Sequence, residues 1–260
     1  MPGAPRRPSP AGPIKRYDRG TDPEVVAWPG GRTWLAHPDE QMRRASHALV
    51  VDGAGELATD LDAVPRSDRR VWVVEPLEFD GLDAFLAGLG DVAGVVVLAG
   101  LHRRDAAAVA TRHGVSVHLP GAVAGLAPRI DAPTEVFEGR LAGTAFRALP
   151  VLHGHPWSEA VLYDGTSGTL VASEVLLTAE RAVRPGERLA VGPWARLVPP
   201  RDALGDLTVE RVVVGHGRPV LDDAQAALDR ALATARRGLP GYLLARGPFM
   251  FRAGYVALRD

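Results

Sequence analysis

The sequence predicts an α/β protein built from two half-units, each a β-sheet with helices on one face. Three observations support this fold class. Short β-type runs open the chain, apolar strands then alternate with helical segments, and a second set of strands is followed by a late amphipathic helix. With 260 residues, of which 46% are hydrophobic, the chain can bury a sizeable core. We therefore expect one large domain with short appendages.

The first half-unit is predicted as an antiparallel meander that continues into alternating strands and helices. From Glu24, three β-type runs, VVAW, RTWLA and HALVVDG, are separated by glycine-containing turns. The alternating part then contains strands in VWVVE, VAGVVVLA and VSVHL, and helices in GLDAFLAGLG and RDAAAVATRHG.

The second half-unit is predicted mainly as strands. They lie in TEVFEG from Thr134, TAFRALPVL, EAVLYD, GTLVAS and VERVVVG, and the helix DDAQAALDRALATARRG follows and ends at Gly238. Residues 1–22 are rich in proline, glycine and arginine and carry no apolar period, so we expect a flexible tail there. Residues 23–238 then form the domain. Residues 239–260 form an apolar extension that packs on the domain, caps a cleft or lies in a homodimer contact.

Composition excludes several kinds of chemistry. The chain has no cysteine, so a metal ion would have to be held by His, Asp or Glu. Its only lysine, Lys15, lies in the expected tail, which disfavours a Schiff-base or phosphate-loop lysine. A formal net charge of −1 disfavours nucleic acid and anionic membrane as partners. No apolar run reaches the ~18 residues that span a bilayer, and no secretory signal pattern is present. We expect a cytoplasmic bacterial protein.

Metal-capable side chains follow several apolar strands, at places where scaffolds usually hold functional groups. His102 and Asp105 come after VVVLAGL, His155 precedes EAVLY, Glu174 ends TLVAS, and His216 follows VVVG. A convergent set of His, Asp and Glu on separate strand ends suits zinc, iron or manganese when sulfur ligands are absent. Alternatively, His102 and Asp105 make ordinary hydrogen bonds at a helix N-terminus. The nearby His153 is interpreted as structural.

The order and spacing of these pieces resemble the metallo-β-lactamase superfamily over roughly residues 24–238. The loop LAGLHRRDAAAVA is similar to the family's HxHxDH loop, GHPWSEAVLY to its third histidine motif, and VVVGHGRPV to its final histidine loop. The resemblance implies an αββα sandwich of two mixed sheets with helices on the outer faces. It carries the family's metal ligands onto His102, Asp105, His155, Glu174 and His216.

This sequence also departs from the family pattern. Gly100 and Arg104 stand where the resemblance implies a ligand histidine and an aspartate, and Arg104 adds a positive charge. We therefore expect one divalent ion rather than two. The first hypothesis is a single-metal hydrolase of a small-molecule ester, lactone, thioester or phosphoester, with Glu174 or Asp105 accepting the water's proton. The second is a catalytically inactive relative that binds or scaffolds without metal.

Overall fold

The computed structural model describes residues 12–154 and 157–257. The strands are β1 (Glu24–Trp28), β2 (Gly31–Leu35), β3 (Ser46–Val51), β4 (Arg70–Val74), β5 (Asp91–Val96), β6 (Val117–Pro120), β7 (Thr134–Phe137), β8 (Arg147–Leu152), β9 (Glu159–Asp164), β10 (Thr169–Ala172), β11 (Leu176–Leu177), β12 (Ala190–Val191) and β13 (Arg211–Val214). The α-helices are α1 (Leu82–Leu89), α2 (Ala106–His113), α3 (Arg201–Leu204), α4 (Ala224–Thr234) and α5 (Leu239–Ala257).

The strands form two main sheets that correspond to the two half-units. The first has seven strands in chain order, β1 to β7, and the second has four in the order β13, β10, β9, β8. In the first sheet, β1 to β4 pair antiparallel as the expected meander, and β4 to β7 pair parallel. In the second, only the β10 and β13 pair is parallel. The carboxyl ends of β10 and β13 therefore lie at the same edge.

Alternate residues of β4 enter two different hydrophobic cores, because side chains along a strand point to opposite faces. Val71 and Val73 pack with residues of α1 and α2 on the outer face of the first sheet. Trp72 and Val74 instead pack with residues of the second sheet in the space between the sheets. The first sheet is thus covered by helices on one face and by the other sheet on the opposite face.

The second sheet repeats this arrangement. Val212 and Val214 of β13 pack with Leu228 of α4, whereas Val213 packs in the core between the sheets. The layers are therefore helix, sheet, sheet and helix, and the expected αββα sandwich of two mixed sheets is confirmed. At one edge the sheets meet directly, since Gly100 donates its N–H to the Ser158 carbonyl at 2.9 Å.

Part of the expected N-terminal tail lies against the domain. Gln41 and Met42 donate backbone N–H groups to the carbonyls of Pro13 and Ile14 at 2.9 and 3.2 Å. The Arg44 guanidinium donates to the Arg16 carbonyl at 2.6 Å. The composition that suggested a tail does not reveal these hydrogen bonds, because their acceptors are backbone carbonyls that any residue carries. Residues 1–11 lie outside the described part.

The extension after residue 238 contains the helix α5. Tyr242 is buried and its ring lies over the Arg196 guanidinium, 4.0 Å from ring centroid to carbon. Arg196 is in turn paired with Glu187 at 3.0 Å. Leu244 and Phe251 of the same helix are exposed. Among the described residues, no helix is both long and apolar enough to cross a membrane.

Candidate metal centre

Three of the predicted site residues meet at the edge where the two sheets join. His102 lies in the loop between β5 and α2, Glu174 follows β10 by two residues, and His216 follows β13 by two residues. His102 Nε2 lies 2.8 Å from Glu174 Oε1 and 3.1 Å from His216 Nε2. His216 Nε2 lies 3.2 Å from the same Glu174 oxygen. The three atoms form a small triangle between two buried histidines and a partly buried glutamate.

The far nitrogen of each histidine is held by a fixed acceptor. His216 Nδ1 donates to the Met42 carbonyl at 2.9 Å. His102 Nδ1 donates to Glu75 Oε2 at 2.5 Å. A ring nitrogen that donates in this way carries a proton, so in the neutral imidazole the lone pair lies on Nε2, the atom that faces the triangle. The same pairing of Nδ1 with a carbonyl or carboxylate holds most metal-ligating histidines in place.

The donor set fits one divalent ion. With both histidines neutral, the triangle consists of three acceptors, and either a proton on His102 Nε2 or a cation between the three atoms relieves their repulsion. A tetrahedral ion with bonds of about 2.0–2.1 Å holds its ligand atoms about 3.3 Å apart. The observed separations of 2.8, 3.1 and 3.2 Å would need to open by only a few tenths of an ångström. Two histidines and one carboxylate suit zinc, iron or manganese.

Glu75 is a fully buried carboxylate in the second layer of this site. Its Oε1 accepts N–H groups of Leu98 and Ala99 at 3.1 and 3.2 Å and the Ser173 hydroxyl at 2.5 Å. Burial raises the pKa of Glu75, but the charge and hydrogen bond of His102, the Arg104 charge and the Ser173 hydrogen bond outweigh burial and lower the pKa to about 2. The carboxylate is therefore ionised, as an acceptor for His102 must be.

The charges around the triangle are strongly coupled. Burial raises the pKa of Glu174, but His216 and His102 outweigh it, and the net pKa lies well below its usual value. Burial and the Arg104 charge lower the pKa of His102, but Glu75 and Glu174 outweigh them and the net pKa is raised. The pocket therefore stabilises positive charge at His102, which a bound cation would also supply.

Arg104 ties together the chain segments that carry the site. Its Nη1 donates to the carbonyls of Ala45 and Glu75 at 2.5 and 3.0 Å, and its Nη2 donates to the Gly215 carbonyl at 3.0 Å. These carbonyls adjoin the ends of β3, β4 and β13. A planar guanidinium can bridge three segments in this way, whereas a lysine ammonium has no fixed fork. Arg104 thus stands beside the triangle as a fixed positive charge.

A second buried carboxylate shapes the loop of Glu174. Glu159 accepts the backbone N–H groups of Ser173, Glu174 and Val175 at 2.8–2.9 Å. Its burial raises its pKa to about 8, and these hydrogen bonds act in the opposite direction. The loop after β10 is therefore fixed by its backbone, independently of the Glu174 side chain.

The other predicted ligands do not join the triangle. Asp105 lies at the N-terminus of α2, and its Oδ2 accepts the Glu78 N–H at 2.8 Å, so this carboxylate is directed to the backbone. It lines the same cleft but is not part of the group that could hold an ion. The prediction for His155 falls outside the described residues. His153 is exposed.

Glu75 and Met42 complete the site but were not selected by sequence reasoning. Glu75 ends the run VWVVE directly before Pro76, so its place after an apolar strand was a usable signal of the kind applied to Glu174. Met42 contributes only its carbonyl, which no side-chain pattern reveals.

A cleft of about 570 Å³ opens onto the triangle. His102, Glu174 and His216 lie on its walls, together with Met42, Leu77 and Leu101. This volume falls within the usual range for small-molecule sites.

Comparison with known proteins identifies the fold. No family model and no curated protein matches the sequence. Among solved structures, the DIM-1 metallo-β-lactamase exposed to ceftazidime aligns over its whole length with 84% of this chain, with a TM-score of 0.54 and 13% sequence identity. The FIM-1 metallo-β-lactamase from Pseudomonas aeruginosa in the mono-zinc form aligns with 85% of this chain over 98% of its own length, with a TM-score of 0.56 and 9% sequence identity. A diflavin flavoprotein A fragment from Nostoc aligns with 85% of this chain over 99% of its own length, with a TM-score of 0.54 and 14% sequence identity. The chain therefore has the metallo-β-lactamase fold.

Proposed function

We propose that this chain is a hydrolase that uses one divalent ion, zinc, iron or manganese, held by His102, Glu174 and His216. Its substrate would be a small ester, lactone, thioester or phosphoester in the adjoining cleft. One observation carries the proposal: three acceptor atoms converge within 3.2 Å of one another while both far ring nitrogens are committed to fixed acceptors. A divalent cation would stabilise such a triangle by taking the place of the proton that His102 Nε2 otherwise shares with Glu174.

A divalent ion in such a site polarises a carbonyl or phosphoryl oxygen and lowers the pKa of a water molecule toward ~7. The chain's own residues supply the rest. Glu75 and the Met42 carbonyl hold the two imidazoles in the required tautomer. Both histidines approach Oε1 of Glu174, which leaves Oε2 to accept a proton from the attacking water. Asp105 stays a candidate for the same task through Oδ1, because the Glu78 N–H occupies only Oδ2.

The charges favour one ion over two. With neutral histidines, Glu75 and Glu174 contribute two negative charges and Arg104 one positive charge, so a single divalent ion leaves a small excess of positive charge. A second ion would add two further positive charges close to a guanidinium that cannot be deprotonated. The mono-zinc form of FIM-1 shows that this fold can hold a single ion in a relative, which supports the proposal.

The test is a titration of metal-free, untagged protein with zinc and with manganese, read by thermal stability. An ion that binds only the folded state stabilises it by mass action, so one equivalent should raise the melting temperature. His216→Ala should abolish this rise, and His113→Ala is the matched control, because His113 pairs with Asp83 on the outside of α2. The same samples are then assayed with one chromogenic substrate of each proposed class.

Each outcome decides between the two functions. One tight equivalent, together with hydrolysis that His216→Ala loses at least a hundredfold, supports the hydrolase. Two tight equivalents contradict the single-ion site. If zinc, manganese and, under anaerobic conditions, ferrous iron all fail to stabilise the protein, the metal-free binding or scaffolding function is supported instead.

A further inference from the structure

One face of the helix α5 is used in packing on the domain. Tyr242 and Ala253 are buried, and they lie on the same side because they are about three helical turns apart. Met250 packs against the hydrophobic cluster that contains Leu177 and Val183. This inner face therefore anchors the helix, and its opposite face is directed away from the domain.

The opposite, outer face of α5 carries large apolar side chains in solvent. Leu244 and Phe251 are 87% and 80% exposed, and they form one stripe because they are about two helical turns apart. Leu243, beside Leu244, is also exposed. A surface helix ordinarily places polar residues on its outer face. An outer stripe of large apolar side chains instead marks an interaction surface.

The apolar surface extends into the loop that contacts this helix. A Cβ at Gly254 would lie 3.3 Å from the Trp194 ring, so the indole is in direct contact with α5. Trp194 is partly exposed, and Leu197 and Val198 of the same loop are more exposed. Of the ten exposed large apolar side chains among the described residues, seven belong to α5 and this loop. The exposed apolar residues are therefore concentrated in one part of the molecule.

The same part of the chain is positively charged. Residues 230–259 contain six arginines and no aspartate or glutamate, although the whole chain has a formal net charge of −1. Arg236 and Arg237 are exposed in the turn before α5, and Arg252 is exposed directly after Phe251. Within the described residues, none of these three arginines forms an ion pair. Unneutralised cations therefore lie at both ends of the apolar stripe.

We propose that the outer face of α5 docks on an anionic lipid surface, with Leu244 and Phe251 inserted among the acyl chains and the three arginines facing phosphate groups. Helices with apolar side chains flanked by arginine bind in the plane of the interface. This mode of binding needs no helix long enough to cross a bilayer. It requires neither the metal ion nor hydrolysis, so the inference is independent of the proposed function.

The formal net charge of the chain does not oppose this docking. Attraction to a charged surface acts over about one Debye length, roughly 8–10 Å, so the local charge around α5 decides the outcome. A second copy of the chain fits this face less well, because pairing two such faces would bring like charges together. A protein partner would need a recess for each protruding side chain, whereas fluid acyl chains adapt to any shape.

The test is flotation of the full chain with lipid vesicles. One set contains phosphatidylcholine alone, and the other contains phosphatidylcholine mixed with phosphatidylglycerol. We expect at least tenfold stronger partitioning onto the anionic vesicles. This partitioning should fall steeply when the salt concentration rises from about 0.05 to 0.5 M, because exposed charges are then screened.

Variants separate the apolar from the charged contribution. Phe251→Ser should weaken partitioning at least tenfold, and Arg252→Gln about fivefold. Both side chains are exposed, so the melting temperature should not change. The matched controls are Val136→Ser on β7, the edge strand of the first sheet, and Arg140→Gln after it. Both controls remove an exposed side chain of the same class and should leave partitioning unchanged.

A fluorescent label gives a second measurement that removes no large apolar side chain from α5. The chain has no cysteine, so a single introduced cysteine can be labelled selectively. Ala245→Cys, exposed next to Leu244, carries a polarity-sensitive fluorophore. Its emission should shift to the blue with anionic vesicles, whereas the same fluorophore on Val136→Cys should not respond.

Three results would overturn the inference. The first is no binding to anionic vesicles at low salt, and the second is equal binding by wild type and Phe251→Ser. The third is a dimer in free solution, detected by light scattering, that Phe251→Ser dissociates, because it would assign this face to a second copy of the chain. Since none of these measurements needs metal, their failure leaves the proposed hydrolase unaffected.

Discussion

Glu75→Gln should weaken metal binding without removing any of the three candidate ligands. In the wild type, the ionised Glu75 carboxylate accepts the His102 Nδ1 proton and leaves Nε2 free to bind. Glutamine has the same shape, and its amide oxygen can still accept the N–H groups of Leu98 and Ala99. Its NH₂ would then face Nδ1, which favours the tautomer with the proton on Nε2 and so blocks the ligand atom.

The expected magnitude follows from similar contacts in metal sites. Removing such an outer hydrogen bond typically costs 10–100-fold in metal affinity, about 1.4–2.7 kcal/mol. At saturating zinc, the zinc-induced rise in melting temperature should therefore be about 3–10 °C smaller in Glu75→Gln than in the wild type. Affinity itself is measured by competition with a chromophoric chelator.

Asp164→Asn is the matched control for loss of a buried carboxylate. Asp164 is as buried as Glu75 and likewise accepts a backbone N–H and a serine hydroxyl, from Thr166 and Ser167. It ends β9 at the opposite end from Glu159, about 17 Å along the strand. Both variants should lower the stability of the metal-free protein, but only Glu75→Gln should lower zinc affinity. Equal zinc affinity in wild type and Glu75→Gln, or an equal loss in Asp164→Asn, would refute the tautomer argument.

Two further predictions concern the supporting structure. Burial lowers the pKa of His47 from 6.5 to about 3, so below pH 6.5 the unfolded chain binds more protons than the folded chain, and the free energy of unfolding falls as the pH falls. His47→Asn should make the free energy of unfolding less dependent on pH, as measured by urea titrations between pH 7 and pH 5. An unchanged pH dependence would contradict this prediction. Gly217→Ala should cost at least about 2 kcal/mol and weaken zinc binding, because Gly217 has φ +103° and a Cβ would lie 2.2 Å from Thr178 Oγ1. Gly53→Ala, with no atom within 4 Å of its Cβ position, is the control and should change stability by less than about 0.5 kcal/mol.

The two half-units were predictable because their signals are local, whereas their stacking as an αββα sandwich was implied by the family resemblance. Period-2 and period-3.6 patterns identify strands and helices within a few residues of sequence. The positions of His102, Glu174 and His216 were predictable for a related reason, since each follows an apolar run that ends in a turn. Parallel pairing of β10 with β13 then brings two of these strand ends together.

The remaining features of the site depend on contacts between residues far apart in sequence. Glu75 contacts His102, which is 27 residues away in sequence, and Ser173, which is 98 residues away, and no local sequence pattern predicts such contacts. Asp105 was expected among the ligands because the resemblance carries a ligand position onto it, and the alternative was an ordinary hydrogen bond at a helix N-terminus, where aspartate is also favoured. In the structure the Asp105 carboxylate accepts a hydrogen bond from the backbone N–H of Glu78, and only the tertiary arrangement of β4 and α2 brings these two groups together.

Backbone strain is concentrated around the candidate ligands. Among the described residues, the non-glycine residues with positive φ are Arg43, Glu75, Arg104 and Asp223. The Arg43 carbonyl accepts the N–H of the residue after His216, Glu75 holds His102, and Arg104 donates to the Glu75 carbonyl. A left-handed conformation costs roughly 1–2 kcal/mol for a residue with a Cβ, so three such residues persist only because these hydrogen bonds fix them together. Glycine at these three positions would relieve the strain, and glycine occupies many of the other positive-φ positions in this chain. That the strain is retained where the two histidines are oriented argues that their orientation is what the local structure maintains.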